Sequence, residues 1–184
     1  MRRKGEEKMN RIYLCGKEAD TGLTFRLKKA LERYGTVRYR GICSGSGQKD
    51  FFLEEGESWP ASRQERGLLL LKDSFGCGKG APPQKGWTAV LRSDHVKAVQ
   101  ALRGTGIPAV TCGSAQRDSL SLSSWDFPQG SVSLLRGVTA LTGETLEPGE
   151  IPVVMDGPCP REWMPLLCAA LLLCGVPCPR GYRL

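Results

Sequence analysis

Residues 87–113 place a strand pattern, a helix pattern and a second strand pattern directly after one another. "WTAVLRSD" (87–94) is a short apolar run, "HVKAVQALRGTG" (95–106) carries apolar residues at helical spacing before a glycine, and "IPAVTCG" (107–113) is strand-like again. Two strands joined by a short helix become neighbours through a right-handed crossover, which makes them parallel. We therefore predict a βαβ unit within a parallel sheet that is covered on both faces.

The first 75 residues show the same alternation of strand and helix patterns. "RIYLCG" (11–16) predicts a strand, "TGLTFRLKKALERYG" (21–35) predicts a helix that ends at its glycine, and "TVRYRGICSG" (36–45) predicts a second strand. "GLLLLKDSF" (67–75) is an apolar run between glycine and charge, which is typical of a strand buried on both faces.

Three segments lack these patterns. Residues 1–10 form a basic tail, 44–66 are rich in Gly, Ser and Glu, and 76–86 are rich in Gly and Pro. We predict loops over 44–66 and 76–86, with a short helical turn at "DFFLEEG" within the first. A chain of 184 residues with 40% apolar content is expected to form a single α/β domain over 1–184.

After Gly113 the spacing of apolar residues changes to two. "SLSLSS" (119–124) alternates strictly, and the turn signals "DFPQG" and "LTGET" separate the later apolar runs. This pattern predicts an antiparallel extension over 114–155, with one packed face and one solvated face.

The last element is an apolar segment with helix boundaries. "REWMPLLCAALLLCGVP" has a proline in its first turn and a glycine after its last leucine, which predicts a closing helix over 162–175. The predicted fold is a mainly parallel, three-layer α/β sheet extended by an antiparallel meander.

The order of these parts resembles that of a known family. Strands ending in "VLRSD", "GIPAVTCG" and "IPVVMDG", and a helix closing in "AALLLCGVP", follow one another as in the central domain of Mur ligases and folylpolyglutamate synthetases. The resemblance covers about residues 87–177, and residues 13–35 are similar to the family's phosphate-loop strand and helix. It implies the family's α/β fold and a site for ATP and Mg²⁺.

The chain departs from the family at the residues that serve catalysis. The family's lysine is followed by a Thr or Ser whose hydroxyl binds Mg²⁺, but here Lys17 is followed by Glu18, and Thr21 lies further on. The family's His–Asn pair is absent, because Gly157 is followed by "PCPRE", and we expect no counterpart of the C-terminal domain that closes over ATP. Because acyl-phosphate formation needs both metal and closure, we expect a degenerate relative in which ATP and Mg²⁺ are disfavoured ligands.

Seven residues are candidate ligand contacts, and none is assigned as catalytic. They are Gly16, Lys17 and Thr21 in the degenerate phosphate loop, and Ser93, Asp94, Gly113 and Arg117 at strand ends. In open α/β sheets, ligands bind outside the carboxyl ends of the strands. Two structural alternatives compete with this interpretation: Ser93 or Asp94 as the N-cap of the following helix, and Arg117 in a salt bridge with Asp118.

Charge and cysteine content limit the classes of partner. The net charge is +7 and the pI about 9.1, but Tyr34 and Tyr39 are the only aromatics in the basic stretch 26–40, so a nucleic-acid partner is disfavoured. The eight cysteines include no CxxC pair and no neighbouring histidine, so we expect buried thiols and no metal site. Without an apolar run long enough for a membrane span or a signal core, the expected location is cytoplasmic.

Two functional hypotheses follow from the sequence. The first is a non-catalytic α/β protein that resembles a truncated Mur ligase central domain and acts by binding a ligand, a protein partner or a second copy. The second is a small enzyme that binds a nucleotide or a phosphate metabolite at the carboxyl ends of its parallel strands.

Overall fold

The computed structural model describes residues 9–61, 66–83 and 86–184, and eleven strands of this part form one mixed sheet. In chain order the elements are β1 (Asn10–Cys15), α1 (Gly22–Glu32), β2 (Gly35–Tyr39), β3 (Ile42–Ser44), β4 (Lys49–Gly56), β5 (Gly67–Leu71), β6 (Trp87–Arg92), α2 (Val96–Leu102), β7 (Ala109–Cys112), β8 (Leu120–Asp126), β9 (Gln129–Leu134), β10 (Val138–Thr139), β11 (Thr145–Leu146), β12 (Gly149–Val154), α3 (Trp163–Leu173) and β13 (Tyr182–Arg183). Most of the predicted basic tail, residues 1–8, lies outside the described residues.

The sheet has the strand order β13-β12-β9-β8-β7-β6-β5-β1-β4-β2-β3, while β10 and β11 form a separate hairpin. Strands β2, β4, β1, β5, β6 and β7 are all parallel to their neighbours in this series. In particular, Val90 of β6 pairs in parallel with Val110 of β7, across the helix α2. This confirms the βαβ unit and the mainly parallel α/β sheet.

The predicted loop over 44–66 is wrong for its middle part, and so is the short helical turn predicted at "DFFLEEG". Residues 49–56 form β4, an eight-residue strand that pairs in parallel with both β1 and β2. Phe51 and Leu53 are buried on one face of this strand. The strand alternation is not recognisable in the sequence of this segment, because Glu55 is charged yet lies inside the protein. Residues 62–65 of the same segment lie outside the described residues, as do 84–85 of the second predicted loop.

The single strand predicted over 36–45 is instead the hairpin of β2 and β3. The chain reverses at Arg40 and Gly41, whose φ angles are 48° and 78°. Two consecutive positive φ angles are typical of the two-residue turn that matches the twist of a hairpin. The prediction failed because an arginine is an uncommon first residue in such a turn.

The core consists of two apolar clusters on opposite faces of the sheet. Leu68 and Leu70 of β5 belong to the cluster under α1 and α3, whereas Leu69 and Leu71 belong to the cluster under α2. This two-sided burial explains why β5 is an unbroken apolar run. In α3, every residue from 164 to 173 is buried, which places this helix at the centre of one layer.

The Ser–Leu alternation forms the antiparallel part of the sheet. β8 pairs with β9 and β9 with β12, all antiparallel, while a single parallel pair, Cys112 with Leu120, joins β8 to β7. On the face away from α3, Ser123, Ser131 and Ser133 donate hydrogen bonds to the carboxylate of Glu150. These bonds lower the pKa of Glu150 below its ordinary value. The predicted meander, with one packed face and one polar face, is confirmed.

No helix in the described part of the chain is long and apolar enough to cross a membrane.

Candidate functional site

The seven predicted contact residues fall into two groups at the carboxyl end of the parallel strands. Gly16, Lys17 and Thr21 lie in the loop between β1 and α1. The other four residues, Ser93, Asp94, Gly113 and Arg117, line a crevice beyond the ends of β6 and β7. Because β5 separates β1 from β6, the structure does not join the two groups into one site.

Most backbone N–H groups of the β1–α1 loop are used inside the protein. The N–H of Gly16 donates to the Gly56 carbonyl (2.9 Å) and that of Lys17 to Ser74 Oγ (3.1 Å). Asp20 N donates to the Lys17 carbonyl at 3.0 Å, and Thr21 N to a carbonyl two residues earlier. A phosphate-binding loop needs such N–H groups directed at the anion. Here four of the six are directed at protein acceptors.

The carbonyl groups of the same loop are directed at a buried lysine. Lys72 follows β5, its side chain is 1% exposed, and its Nζ donates to the carbonyls of Asp20 (2.6 Å) and Lys17 (3.4 Å) and to Glu55 Oε2 (2.8 Å). The loop thus presents oxygens to an internal cation, the reverse of what a phosphate requires.

Glu55 completes this buried ion pair from the end of β4. Its side chain is 3% exposed and accepts hydrogen bonds from Thr24 Oγ1 (2.8 Å), Tyr39 OH and Arg40 Nη2 (2.7 Å) as well as from Lys72. We call Glu55, Lys72 and the loop 16–21 the junction, because together they link β1, β4, β5 and α1.

The pKa values in the junction follow from burial and charge. Burial raises the pKa of Glu55, but the hydrogen bonds from Lys72, Tyr39 and Thr24 and the charge of Lys72 outweigh it, so the pKa lies below its ordinary value. Burial and the neighbouring Glu55 raise the pKa of Tyr39 to about 12. Glu55 is therefore the charged member of this pair, and Tyr39 remains a hydrogen-bond donor.

Two glycines allow the loop to pack this closely. A Cβ on Gly16 would lie 2.8 Å from both Lys72 Cβ and Ser74 Oγ, and a Cβ on Gly22 would lie 2.7 Å from the Trp163 ring. Trp163 therefore packs against the first residue of α1, where a bound phosphate would have to sit.

The junction occupies the position at which open α/β sheets usually bind ligands. From β1, the chain continues through α1 to β2 on one side, whereas β5, β6 and β7 lie on the other side. The carboxyl ends of the strands at such a reversal commonly form a ligand crevice. Here a buried ion pair fills that place.

The open crevice also lies at the carboxyl ends of the parallel strands, beside the junction. It has a volume of about 450 Å³ and is bordered by the ends of β6 and β7, by β8 and by the start of α3. Three arginines line it, Arg92, Arg117 and Arg161, together with the carboxylates of Asp94 and Glu162.

One of these arginines, Arg92, is paired with carboxylates of the protein. Arg92 forms two hydrogen bonds with Asp94 (Nε–Oδ1 3.0 Å and Nη2–Oδ2 2.6 Å) and lies 3.3 Å from Asp73 Oδ2. These contacts, Asp94 above all, raise the pKa of Arg92, and Arg92 in turn lowers the pKa of Asp94. Asp94 is thus already neutralised by a protein partner.

The floor of the crevice is formed by a glycine packed between polar side chains. A Cβ on Gly113 would collide with Ser93 Oγ and with Asp118 Oδ2. Asp118 is fully buried, its Oδ2 accepts a hydrogen bond from the N–H of Ala115 (2.8 Å), and its Oδ1 has no partner within the described residues. The alternative of an Arg117–Asp118 salt bridge is therefore wrong, because Asp118 points inward and holds the turn.

The N-cap of α2 is also different from the expected one. The capping residue is His95, whose Nδ1 accepts a hydrogen bond from the N–H of Ala98 (3.1 Å) and whose Nε2 lies 2.9 Å from the Asp73 carbonyl. This arrangement requires a neutral imidazole with its proton on Nε2. Ser93 and Asp94 are left free of the capping role, so they remain part of the crevice.

The cysteines are all free thiols, and four of them are core residues. Cys15, Cys112, Cys168 and Cys174 are buried, and burial raises the pKa of each, to about 12 for Cys15 and Cys174. Within the residues that the structure describes, no three His, Cys, Asp or Glu side chains are grouped so as to hold a metal ion.

Sequence reasoning missed the main residues of the junction. Lys72 and Glu55 each follow a buried strand pattern, in "LLLLKDS" and "FFLEEG", and a single charge at that position is a usable signal. Their pairing was not foreseeable, because it depends on β4 and β5 lying on either side of β1.

Comparisons with known proteins do not assign a family: no protein-family model matches the chain, and no curated protein sequence matches it significantly.

Proposed function

We propose that this chain is a non-catalytic α/β binding protein, similar in plan to a Mur ligase central domain whose phosphate loop has become part of the structural core. It neither hydrolyses ATP nor forms acyl phosphates. The expected work of the protein is to hold a ligand, a protein partner or a second copy of itself.

One observation carries this proposal. Lys72 Nζ binds the carbonyls of the loop after β1 and the Glu55 carboxylate, at distances of 2.6 to 3.4 Å. Binding a triphosphate there would place anionic oxygens beside Glu18 and Glu55 and would require the loop to release its internal hydrogen bonds. Each buried group left unpaired in this way costs about 1–3 kcal/mol.

The test is a measurement of ATP binding and hydrolysis. Isothermal titration calorimetry with ATP and Mg²⁺ is expected to show no saturable binding at micromolar concentrations, and phosphate release should equal the rate without protein. Lys17→Ala is compared with Lys79→Ala, which changes an exposed lysine in a different loop. ATP hydrolysis that Lys17→Ala abolishes and Lys79→Ala preserves would show that the protein is an enzyme.

The second hypothesis, a small enzyme acting on a nucleotide or a phosphate metabolite, is favoured by the crevice alone. Its volume of about 450 Å³ lies within the range of small-molecule sites. A thermal-shift screen against ATP, ADP and UDP-sugars discriminates between the hypotheses: stabilisation by a nucleotide that depends on Arg117 favours the second.

The expected compartment and partners belong to the same proposal. Eight free thiols fit a reducing compartment, so we expect a cytoplasmic protein. The edge strand β3 exposes Ile42, which is 66% accessible, and an unpaired edge of this kind favours a protein partner or a second copy. Size-exclusion chromatography with light scattering tests for the second copy, and a purely monomeric protein would remove that option.

A further inference from the structure

We propose that the crevice beyond β6 and β7 binds a small molecule that carries an oxyanion, a phosphate or a carboxylate, next to an apolar group. This inference rests on the crevice and not on the loss of ATP binding, so either can fail without the other.

Two unpaired arginines on the border of the crevice point to an anionic ligand. Among the described residues, the exposed Arg117 makes no side-chain hydrogen bond or ion pair, and the only partner of the Arg161 side chain is the face of Trp125, 5.8 Å from the ring centroid. Arg92 in the same crevice shows the contrast, because two carboxylates already engage it. A free guanidinium offers a planar set of donors that fits a carboxylate or a phosphate.

Both arginines extend from backbone that is fixed. The turn before β8 that carries Arg117 is closed by Asp118, whose N–H donates to the Ala115 carbonyl (2.9 Å) and whose carboxylate accepts from the Ala115 N–H (2.8 Å). The carbonyl of Arg161 accepts from the Met164 N–H at the start of α3 (3.2 Å). Because the backbone is fixed, ligand binding restricts the arginine side chains and not the turns that carry them, which lowers the entropy cost.

Among the side chains that line the crevice, positive charge exceeds negative charge. Asp94 is neutralised by Arg92, which leaves Arg117 and Arg161 against the carboxylate of Glu162 in this lining. The crevice also borders the first turn of α3, an eleven-residue helix whose positive dipole end adds to the field. The buried Asp118 lies beneath the floor and uses one oxygen for the turn.

The rest of the lining limits the ligand to a partly apolar molecule. Leu122, Pro165 and Cys112 contribute to the wall of a crevice of about 450 Å³. A small inorganic anion would leave this apolar surface in contact with water, whereas an aromatic or aliphatic group on the ligand would cover it.

The test uses phenyl phosphate as the probe, titrated into the full chain and followed by NMR or calorimetry. We expect saturable binding within about 10 mM, a range that includes weak ligands. Arg117→Gln and Arg161→Gln should each weaken binding about tenfold, because each removes one charge-assisted pair. Glu162→Gln should tighten it, because it removes the opposing carboxylate.

Matched controls keep the outcome specific. Arg103→Gln removes an exposed arginine at the end of α2, outside the crevice, and should leave the affinity unchanged. Benzyl alcohol, which has the ring without the anion, should bind at least tenfold more weakly than phenyl phosphate. Absence of saturable binding, an equal loss with Arg103→Gln, or equal binding of benzyl alcohol would overturn the proposal, whatever the result with ATP.

Discussion

The junction and the crevice both lie at the carboxyl ends of the parallel strands, but their charged side chains differ in burial and pairing. In the junction, Lys72 and Glu55 are almost completely buried and satisfy each other. In the crevice, Arg117 and Arg161 are exposed and have no carboxylate partner among the described residues. A charged residue at a strand end is therefore a candidate ligand contact only when the protein itself does not supply the counter-charge.

The largest effect on stability is expected for Glu55→Gln in the junction. Removing this carboxylate leaves the Lys72 ammonium buried without a counter-ion, which costs about 3–5 kcal/mol of unfolding free energy. Urea denaturation measures the loss. The control is Glu54→Gln, at a half-exposed position paired with Arg11 at 3.4 Å, where less than about 1 kcal/mol is expected. Equal losses for the two variants would mean that the buried pair does not stabilise the junction.

Acid should weaken the junction in a predictable direction. The pKa of Glu55 in the folded protein lies below the ordinary value of 4.5, so the unfolded chain takes up its proton first. The stabilisation is therefore complete above about pH 4.5 and is lost as the pH falls through the folded pKa. Between about pH 6 and 3, the unfolding free energy from denaturation curves should fall more steeply for the native protein than for Glu55→Gln. Parallel curves would contradict this role of Glu55.

A double-mutant cycle measures the interaction free energy between Lys72 and Glu55. Lys72→Met removes the cation, and in the presence of Glu55→Gln it should destabilise far less than it does alone. The expected interaction free energy between the two changes is about 2 kcal/mol, from the unfolding free energies of the four proteins. Additive effects would show that Lys72 acts through the loop carbonyls and not through Glu55.

The smallest effect on stability is expected in the crevice. Arg117→Gln removes an exposed side chain without an internal partner, so the unfolding free energy should change by less than about 0.5 kcal/mol. Thermal or urea denaturation measures this. A loss as large as that of Glu55→Gln would mean that Arg117 is structural and that the contrast between the two regions is false.

Much of the fold was predictable because its patterns are local. The apolar run of β5 and the helical spacing of α2 require no knowledge of distant residues, and neither does the Ser–Leu alternation of β8. The strand β4 was missed because its charged residues are stabilised by partners elsewhere: the burial of Glu55 depends on donors outside its own strand, among them Lys72, 17 residues later.

The candidate site was predictable in part for the same reason. Ser93 and Asp94 directly follow β6, Gly113 directly follows β7, and Arg117 lies in the loop after Gly113. The rule that ligands bind at carboxyl ends therefore predicts that these four residues lie at one crevice. Lys17 was also placed correctly at a strand end. What the sequence did not reveal is that the loop around it is held by a lysine 55 positions away.

The position of α3 has a consequence for how the chain acquires its structure. This helix contacts five strands, β5 to β9, and also α1, so the part of this face over β5 to β9 stays uncovered until residues 163–173 have been synthesised. β1 likewise has no neighbour before β4 exists. Such long-range topology slows folding and makes it cooperative. A nascent chain halted before α3 would expose apolar surface, so it would depend on chaperones and would be an early target for proteolysis.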